Sequence, residues 1–392
     1  MAPKCDELCL YIITQQLSSV QGGGILVSRF IKILSPMAKN IFLITSNFDD
    51  CLKDINNVYI QNIKTDDKKE SMHIRVLKYG LYQLRIALAM VKMRKESDIS
   101  IFYLGGMALL LPMLCSKLLG KKAILIITGS GSESAKKIYS KRLLGAGGRV
   151  FSIVLNILEQ TNYLLCDYIV IYSKCLIREY KLSRFKNKLF VAPMHFVDLD
   201  KYRITTCLNE RPFIIGYVGR LSEEKGVLNF AHSIPKTLNQ NKNFKFSLIG
   251  DGNIKQNIEL YIEENNLVDN VELLGWVSHE DLPAYLNKFR LLVLPSYTEG
   301  LPNIMLESMA CGVPVLASPV GAIPDVIRDE ETGFLMENNS PECIAANVIR
   351  VLKHPDLEGV AKRARTMVES EFTFDNSMER WRKILVEICN DL

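Results

Sequence analysis

The sequence of 392 residues contains no long uninterrupted apolar run. Its two most apolar stretches, residues 101–115 and 150–172, are broken by glycine, proline or polar residues. Neither reaches the roughly 18 consecutive apolar residues of a membrane-spanning helix. The first residues also lack the basic-then-apolar order of a signal peptide. We therefore expect a protein of the cytoplasm.

Motifs of clustered cysteine or histidine are absent too. The 10 cysteines are scattered and include no C-x-x-C pair, and the 5 histidines show no metal-ligand spacing. We therefore expect reduced thiols and no bound metal.

Charge is the first positive signal. The formal net charge is +5, but residues 1–200 hold 28 Lys and Arg against 16 Asp and Glu, whereas residues 201–392 hold 20 against 27. Much of the excess in the first half is a basic cluster in which only Glu133 is acidic. Its members are Lys117, Lys121, Lys122, Lys136, Lys137, Lys141, Arg142 and Arg149. Such a cluster attracts phosphates, anionic lipid headgroups or nucleic acid, and a solvated basic face is the alternative.

Short apolar runs alternate with longer amphipathic stretches along the whole chain. This order is typical of parallel strands joined by crossover helices, and it predicts an α/β fold with two Rossmann-like, doubly wound parallel sheets. The predicted strands are Leu8–Thr14, Ile41–Thr45, Ile99–Leu104, Ala123–Thr128, Tyr168–Tyr172 and Leu189–Ala192 in the first half, and Phe213–Val218, Phe244–Ile249, Val271–Leu274, Leu291–Leu294, Val315–Ala317 and Gly333–Leu335 in the second.

The two predicted sheets divide the chain into two domains. The polar, aperiodic stretch 194–212 is the predicted linker, so we place an amino-terminal domain at residues 1–195 and a carboxy-terminal domain at residues 210–371. Open parallel sheets bind ligands beyond the carboxyl ends of their strands. Two such sheets facing a central cleft would suit a bulky, charged, two-part ligand.

The most informative stretch is 295–314, where a strand leads through a loop into a short helix. Pro302 suits the first turn of that helix, and Gly312 can end it. The helix start offers backbone amides and a positive dipole end to a phosphate. Glu299 and Glu307 bracket this turn, and a carboxylate such as Glu307 can accept both hydroxyls of a ribose. Taken singly, each could equally be a loop, capping or surface charge.

A second informative stretch, 216–226, follows the first predicted strand of the second half. It supplies two cations, Arg220 and Lys225, around one turn. The planar fork of Arg and the point charge of Lys both suit phosphate oxygens and would neutralise a diphosphate. Alone, the two residues could equally be solvated loop charges.

Together these stretches resemble the glycosyltransferases of the retaining family 4, which have the GT-B fold. The matching motifs are Gly-Arg-Leu-x-x-x-Lys-Gly at 219–226, Gly-Asp-Gly at 250–252, Gly-Trp-Val at 275–277, the pair Glu299 and Glu307 with Gly-Leu-Pro-Asn between them, and Gly-Ala-Ile-Pro-Asp at 321–325. The tail at 371–375 resembles the segment where such chains cross back, so that a helix at 372–392 would pack on the first domain.

The resemblance implies a nucleotide-diphosphate-sugar donor, expected to be a UDP-sugar, held mainly by the second domain. The implied contacts are Arg220 and Lys225 with the diphosphate, Glu307 with the ribose, Glu299 and the backbone of Gly300, Leu301, Pro302 and Asn303 with the sugar and its phosphate, Trp276 and Val277 with the base, and the turns at Gly219, Gly250 and Asp251 with the donor. Gly22, Gly23 and Gly24 would form a glycine-rich loop near the diphosphate and the acceptor. Without the resemblance, that loop is an ordinary turn.

The implied reaction transfers a hexose or N-acetylhexosamine to a hydroxyl of a glycan or lipid-linked glycan, with retention at the anomeric carbon. Glu299, Arg220 and Lys225 are the catalytic candidates. Cations and helix amides would stabilise the departing diphosphate, so neither a metal nor another cofactor is required. The expected setting is cell-envelope polysaccharide or glycolipid biosynthesis. The alternatives are a nucleotide-sugar epimerase, a phosphorylase and a catalytically silent sugar-nucleotide-binding subunit.

Two positions depart from the family pattern. Thr128 stands where a first-domain histidine is common, and a threonine can hydrogen-bond a sugar but cannot act as an imidazole. His195 lies in Pro-Met-His-Phe-Val-Asp, where the family usually has Pro-Asn-Gly-Val-Asp. Both residues are candidate acceptor or sugar contacts, and a linker or packing role is the alternative for His195.

The resemblance also gives the basic cluster a role. Many related enzymes act on lipid-linked acceptors at the cytoplasmic face of a membrane, and residues 136–158 have a cationic start followed by an apolar stretch, as a surface-docking helix would. Residues 79–95 offer a second such helix. We therefore expect peripheral docking on an anionic inner membrane face, with a soluble acceptor site as the alternative. No nucleic-acid motif is present, and no nucleic-acid partner is expected.

Overall fold

The computed structural model describes residues 7–15, 23–46, 48, 52, 55–63, 72–94, 97–128 and 145–391. Its internal contacts group into two compact units. The first unit is Met1–Met194 with Ser377–Leu392, and the second is His195–Asn376. The predicted linker lies almost entirely in the second unit, where the amide of Val197 donates to the carbonyl of Phe372 at 2.8 Å.

The first unit contains a seven-stranded parallel sheet in the order β3-β2-β1-β4-β5-β6-β7. Its strands are β1 (Cys9–Thr14), β2 (Asn40–Thr45), β3 (Val58–Asn62), β4 (Ile99–Tyr103), β5 (Lys122–Ile127), β6 (Tyr168–Ile171) and β7 (Leu189–Val191). All five residues of β4 are buried, as are Ala123–Ile127 of β5. Such continuous burial explains why these strands are almost entirely apolar, with Ser100 in β4 and Lys122 at the start of β5 as the polar residues, because helices cover both faces of a parallel sheet.

Helices connect the strands of the first sheet. They are α1 (Gly23–Leu34), α2 (Met72–Lys92), α3 (Leu110–Leu118), α4 (Gly145–Leu165) and α5 (Cys175–Glu179). The connection from β1 to β2 runs one way along the sheet, whereas those from β3 to β4, β4 to β5 and β5 to β6 run the other way. Right-handed crossovers therefore put α1 on one face and α2, α3 and α4 on the opposite face. On that face α2 packs against α3, and α3 packs against α4.

The second unit contains a six-stranded parallel sheet in the order β10-β9-β8-β11-β12-β13. Its strands are β8 (Ile214–Val218), β9 (Lys245–Ile249), β10 (Val271–Gly275), β11 (Phe289–Leu294), β12 (Val315–Ala317) and β13 (Phe334–Leu335). Phe230, Phe246 and Leu248 belong to its buried apolar cluster.

The helices that follow these strands begin with α6 and end with the last helix of the chain. They are α6 (Val227–Leu238), α7 (Lys255–Glu264), α8 (Leu282–Leu286), α9 (Asn303–Ala310), α10 (Ile323–Val326), α11 (Pro341–Leu352), α12 (Leu357–Glu371) and α13 (Phe374–Asn390). Within the described ranges, no helix combines the length and the apolar character that crossing a bilayer requires.

The last helix, α13, returns to the first unit, to which its residues from Ser377 onward belong. Trp381 is fully buried there, and its ring centroid lies 4.7 Å from that of Phe30 in α1. An indole ring buried against an aromatic partner contributes a large apolar area to a core. The prediction that a carboxy-terminal helix crosses back is confirmed.

The predicted strands are all present, with ends within two residues of the expected ones. One further strand, β3, is present that was not predicted. This strand lies at the edge of the first sheet, and Tyr59, Gln61 and Asn62 are exposed. An edge strand needs no continuous apolar run, so its pattern is weak.

Candidate active site

Four neighbouring strands of the second sheet end in the loops that carry the predicted donor-binding residues. Strands β10, β9, β8 and β11 lie side by side and parallel, so their carboxyl ends share one edge. Trp276 follows β10, Gly250 follows β9, Gly219 follows β8, and Glu299 lies in the loop after β11. The structure therefore brings these residues to the edge at which open parallel sheets bind ligands.

The loops after β8 and β9 are in direct backbone contact. The amide of Gly219 donates to the carbonyl of Ile249 at 2.9 Å, and the amide of Gly250 donates to the carbonyl of Gly275 at 2.7 Å. Gly250 has a φ of +142°, and a Cβ there would lie 1.9 Å from the carbonyl oxygen of Gly219. Glycine is therefore required at position 250 for both its conformation and the close approach of the two loops.

Asp251 contributes mainly backbone geometry to this edge. Its carbonyl accepts from the amide of Leu221 at 2.9 Å. Its side-chain Oδ1 accepts from the amide of Gly252 at 2.8 Å. Asp251 thus holds the loop after β9 against the loop that carries Arg220.

Lys225 and Glu299 form the central charged pair of the site. The Nζ atom of Lys225 lies 2.8 Å from both carboxylate oxygens of Glu299. The hydroxyl of Ser296 donates to Oε1 of the same carboxylate at 2.7 Å. The carboxylate is largely buried, and the lysine is more accessible. Charge-assisted hydrogen bonds of this kind are strong and fix both side chains.

The backbone holds the loops of Lys225 and Glu299 together. Gly226 has a φ of +66°, and a Cβ there would lie 2.0 Å from the carbonyl oxygen of Pro295. The amide of Tyr297 donates to the carbonyl of Glu224 at 2.9 Å. The Gly-x-x-x-x-x-Lys-Gly spacing thus serves the contact between two loops as well as the placement of a cation.

Arg220 is more exposed than Lys225. Its guanidinium lies 3.6 Å from Oε1 of Glu224, which also accepts from the hydroxyl of Ser222 at 2.7 Å. Its carbonyl accepts from the phenol of Tyr217 at 2.8 Å. Burial, and secondarily the negative charges of Glu299 and Glu224, raise the pKa of Tyr217 above its usual range, so the phenol remains a donor.

Helix α9 begins beside this pair without a side-chain cap. Pro302 occupies the N-cap position in an extended conformation and makes no side-chain capping bond. Uncapped helix starts leave backbone amides available to an anion. The Oδ1 atom of Asn303 is buried, and it has no hydrogen-bond partner among the described residues. This oxygen can accept a hydrogen bond from a ligand hydroxyl, so the helix start fits a phosphorylated sugar.

The Gly300–Pro302 segment is held by the turn at Gly321. Gly321 has a φ of +60°, and a Cβ there would lie 2.1 Å from the carbonyl oxygen of Glu299. The amide of Ala322 donates to the carbonyl of Gly300 at 2.9 Å. The Gly-Ala-Ile-Pro-Asp motif therefore acts through the backbone of the loop that carries Glu299. Leu301 in that loop is buried.

Other predicted donor contacts differ in their exposure. Glu307 lies in α9 and is only 2% exposed. Trp276 is 67% exposed, and Val277 beside it is half-buried. An exposed indole at the carboxyl end of β10 offers an apolar face on which a planar base can stack.

The first unit holds two further predicted contacts, Thr128 and the glycine-rich segment. Thr128 directly follows β5 and hydrogen-bonds Tyr172, whose pKa is raised mainly by burial. Gly23 and Gly24 form the first turn of α1, in which the carbonyl of Gly24 accepts from the Ser28 hydroxyl at 2.8 Å. The prediction that these two glycines lie in a loop is therefore wrong, because their conformation is helical. Gly22 lies outside the described residues.

His195 is buried at the start of the second unit. Its roles as a sugar or acceptor contact and as a packing residue both stay predictions.

The described members of the basic cluster make specific contacts. Lys117 lies 2.6 Å from Asp167, and Lys121 donates to the carbonyl of Ser97. Lys122 is the first residue of β5 and is half-buried. The side chains of the other members lie outside the described part of the structure. These members are Lys136, Lys137, Lys141, Arg142 and Arg149.

Asp198, within the predicted linker, stabilises a turn through its side chain. Oδ1 of Asp198 accepts from the amides of Asp200 and Lys201 at 3.2 and 3.1 Å, which closes a turn.

In the part of the chain that the structure describes, no three His, Cys, Asp or Glu side chains are grouped to hold a metal ion.

Ser296 is the site residue that the sequence analysis missed. It lies in the Pro295–Pro314 stretch, three residues before Glu299, but a lone serine in a loop carries no signal of its own. Only the fold shows that its hydroxyl is buried against the carboxylate.

Comparison with known proteins agrees with this geometry. Residues 200–368 match the family model of Glycosyl transferases group 1. The N-acetyl-alpha-D-glucosaminyl L-malate synthase of Bacillus anthracis is 24% identical over 95% of this chain and 96% of its own length. The UDP-Gal:alpha-D-GlcNAc-diphosphoundecaprenol alpha-1,3-galactosyltransferase of Escherichia coli is 27% identical over 51% of this chain and 56% of its own. The chain spans about half the length of several other curated relatives that it matches.

Solved structures resemble the fold over nearly the whole chain. The sucrose-phosphate synthase of Thermosynechococcus elongatus has a TM-score of 0.77 at 18% identity, covering 98% of this chain and 100% of its own. Anabaena Alr3699/HepE, solved in complex with UDP, has a TM-score of 0.73 at 15% identity, covering 97% and 100%. The chain thus has the GT-B fold, and its residues 200–368 are similar to the Glycosyl transferases group 1 family.

Proposed function

We propose that the protein is a glycosyltransferase that moves a hexose or N-acetylhexosamine from a nucleotide-diphosphate donor to a hydroxyl of a glycan or lipid-linked glycan. The observation that carries the proposal is the convergence of Lys225, Glu299 and the uncapped start of α9 at one sheet edge. This edge offers a cation and helix amides to a diphosphate. It also offers the Asn303 oxygen to a sugar hydroxyl.

Each donor part has a proposed place. Arg220 and Lys225 bind the diphosphate, Glu299 and the Gly300–Asn303 backbone bind the sugar and its phosphate, and Glu307 binds the ribose. Trp276 and Val277 border the base. A uridine donor is supported by the solved relative that binds UDP and UDP-glucose and by the name of the Escherichia coli relative.

In the proposed reaction, the bond between the anomeric carbon and the phosphate oxygen breaks, and its electron pair stays on the diphosphate. The acceptor oxygen forms the new bond on the face that the diphosphate leaves, so the anomeric configuration is retained. The acceptor proton passes to the departing phosphate oxygen. Lys225, Arg220 and the amides of α9 stabilise the negative charge that develops there, which lowers the barrier and requires no metal.

The proposed setting is cell-envelope polysaccharide or glycolipid biosynthesis at the inner face of a membrane. It is supported by the name of the Escherichia coli relative, which specifies a diphosphoundecaprenol-linked acceptor, and by the basic character of the first half of the chain. The basic cluster would attract anionic headgroups at that surface.

A donor screen tests the proposal. The purified protein is incubated with a panel of sugar nucleotides, and hydrolysis or transfer is followed by release of the nucleoside diphosphate. We expect one or a few UDP-sugars to be cleaved and the Lys225→Ala variant to lose at least about 100-fold in kcat/KM, or about 2.7 kcal/mol. Lys236→Ala, which removes an exposed lysine of α6, is the control and should match wild type.

The products separate the rival activities. Conversion of the sugar nucleotide to an isomer without an acceptor would support an epimerase, and dependence on inorganic phosphate would support a phosphorylase. Calorimetric binding of the donor without any turnover across acceptor panels would support a silent binding subunit. Full activity of Lys225→Ala would overturn the assignment of the site.

A further inference from the structure

The first unit presents apolar side chains to solvent along an entire helix. In α2 the exposed residues are Ile74, Leu77, Leu81, Leu84, Leu88 and Val91. They recur every three or four residues and so form one continuous stripe along the helix. The opposite side of α2, with Tyr82, Ile86 and Met90, is buried in the core. Helix α2 is therefore apolar on two sides, only one of which the described part of the fold covers.

The two helices that follow α2 repeat this feature. In α3 the exposed apolar residues are Leu111, Leu114 and Leu118, and Leu118 is 88% exposed. In α4 they are Ile153, Val154, Ile157 and Leu164. The crossovers place all three helices on the same face of the sheet, and they pack in the order α2-α3-α4. We call these exposed apolar side chains, together, the leucine face.

Charge on the same three helices is mostly positive. Helices α2, α3 and α4 contain six Lys and Arg, namely Arg75, Lys78, Arg85, Lys92, Lys117 and Arg149. Their one acidic residue is Glu159, which is only 3% exposed. The only acidic side chain of these helices is thus withdrawn from solvent.

We propose that the leucine face docks on an anionic lipid bilayer, with its leucine and isoleucine side chains inserted among the lipids and its basic side chains among the headgroups. This inference rests on the proposed function, because it names the surface that would bring the site to a lipid-linked acceptor. Large exposed apolar surfaces in soluble folds mark interaction sites, and basic side chains beside them favour an interface rich in negative charge. Long Lys and Arg side chains can lie along apolar surface while their charges reach the headgroups.

The same charges disfavour a second copy of the chain as the occupant. Two leucine faces brought together would place basic side chains against basic side chains, with no exposed acidic partner on these helices.

Docking through the leucine face also differs from docking through the basic cluster alone. Attraction by charge alone would vanish in high salt, whereas inserted leucines retain part of the binding.

Vesicle flotation tests the proposal with the full-length protein. The probes are vesicles of phosphatidylcholine with or without about one-third phosphatidylglycerol, at low and high salt. We expect binding to the anionic vesicles and at least a tenfold weaker partition for Leu84→Glu/Leu88→Glu. Leu260→Glu is the matched control, because Leu260 is a half-exposed leucine on helix α7 of the second unit, and it should bind as wild type does.

Tryptophan substitution tests insertion directly. The fluorescence of Leu88→Trp should shift to the blue when anionic vesicles are added, whereas that of Leu260→Trp should not. Hydrolysis of the sugar nucleotide in solution should be unchanged in Leu84→Glu/Leu88→Glu, so failure of docking is distinguishable from failure of the proposed function. The proposal is overturned if wild type does not bind anionic vesicles, or if the glutamate variant binds them as tightly. A dimer that the glutamate variant dissociates, without vesicle binding, would show that a second copy occupies the face.

Discussion

The ammonium group of Lys225 is held symmetrically by Glu299, 2.8 Å from each carboxylate oxygen. The ion pair of Lys225 and Glu299 is neutral as a whole. It therefore attracts an anion only weakly until other groups bind the carboxylate. In the proposed reaction the sugar hydroxyls would donate to Glu299 as the diphosphate approaches Lys225. In that reaction the pair would couple recognition of the sugar to stabilisation of the leaving group, which requires its neighbours to keep its geometry.

Ser296→Ala tests how that geometry is kept. The hydroxyl of Ser296 donates to Glu299 from a buried position, so its removal leaves one carboxylate oxygen with a single partner, Lys225. We expect a roughly tenfold lower kcat, little change in KM for the donor, and a loss of about 1–2 kcal/mol in the free energy of unfolding. Steady-state kinetics and urea denaturation measure these values.

Ser278→Ala is the control for Ser296→Ala, because Ser278 also donates to a carboxylate, that of Asp281, but in an exposed turn. It should leave kcat unchanged. If both variants have the kinetics of wild type, Ser296 does not position Glu299.

The fold was predictable because its signals are local. Strands such as β4 and β5 are buried on both faces and are therefore almost entirely apolar, and the motifs after β8 and β11 fix the loops of the second unit. Strand β3 was missed because it is half-exposed at a sheet edge. The first turn of α1 was missed because two consecutive glycines, Gly23 and Gly24, favour turns by intrinsic propensity, and the surrounding helix overrides that preference.

The candidate site was predictable only in part. The types and spacing of Arg220, Lys225 and Glu299 indicated an anion site, but not that Lys225 and Glu299 bind one another. That contact joins residues 74 positions apart, and it depends on Gly226 approaching the carbonyl of Pro295. Residues 79–95 and 136–158 were predicted as surface-docking helices, but the exposed leucine face was not, because an apolar residue in a helix does not itself show which side of the helix is covered.

Gly250→Ala tests the close approach of the loops after β8 and β9. The new Cβ would meet the carbonyl oxygen of Gly219 and adopt a strained φ. Strain and overlap each cost about 1–3 kcal/mol, so we expect a loss of roughly 2–6 kcal/mol in the free energy of unfolding. Gly275→Ala is the control. Gly275 also has a positive φ, +69°, but open space around the Cβ position, and we expect a loss of about 1–2 kcal/mol.

Guanidinium denaturation of the two glycine variants measures these costs. Equal losses for Gly250→Ala and Gly275→Ala would mean that conformation alone, and not the contact with Gly219, requires glycine at position 250.

Glu337→Gln tests a pH-dependent contribution to stability. Hydrogen bonds from the Cys343 thiol, from the backbone and from the Asn347 amide lower the pKa of Glu337 from its ordinary 4.5 to about 2. A lowered pKa in the folded state stabilises the protein above pH 4.5, and this stabilisation is lost as the pH falls towards 2. The stability difference between wild type and Glu337→Gln should therefore be present at pH 7 and shrink below pH 4.5. It should stay under about 1 kcal/mol because solvent screens this exposed carboxylate.

A nuclear magnetic resonance titration of Glu337 measures its pKa directly. In Cys343→Ala, which removes the largest cause of the shift, the pKa of Glu337 should rise towards 4.5. A titration of wild type at the ordinary value would contradict this account.

Removal of divalent cations tests the charge balance of the proposed reaction. In the proposed reaction, Arg220, Lys225 and the amides at the start of α9 would supply the positive charge that a departing diphosphate needs, so the reaction should not depend on a metal ion. We expect EDTA to change the transfer rate by less than about twofold, or about 0.4 kcal/mol in the barrier. Addition of Mg²⁺ or Mn²⁺ should not restore Lys225→Ala, because Glu299 alone would face the ion there, and among the described residues no three His, Cys, Asp or Glu side chains are grouped to hold a metal. A more than tenfold loss in EDTA that Mg²⁺ reverses would show that a metal ion, and not these side chains, carries the diphosphate charge.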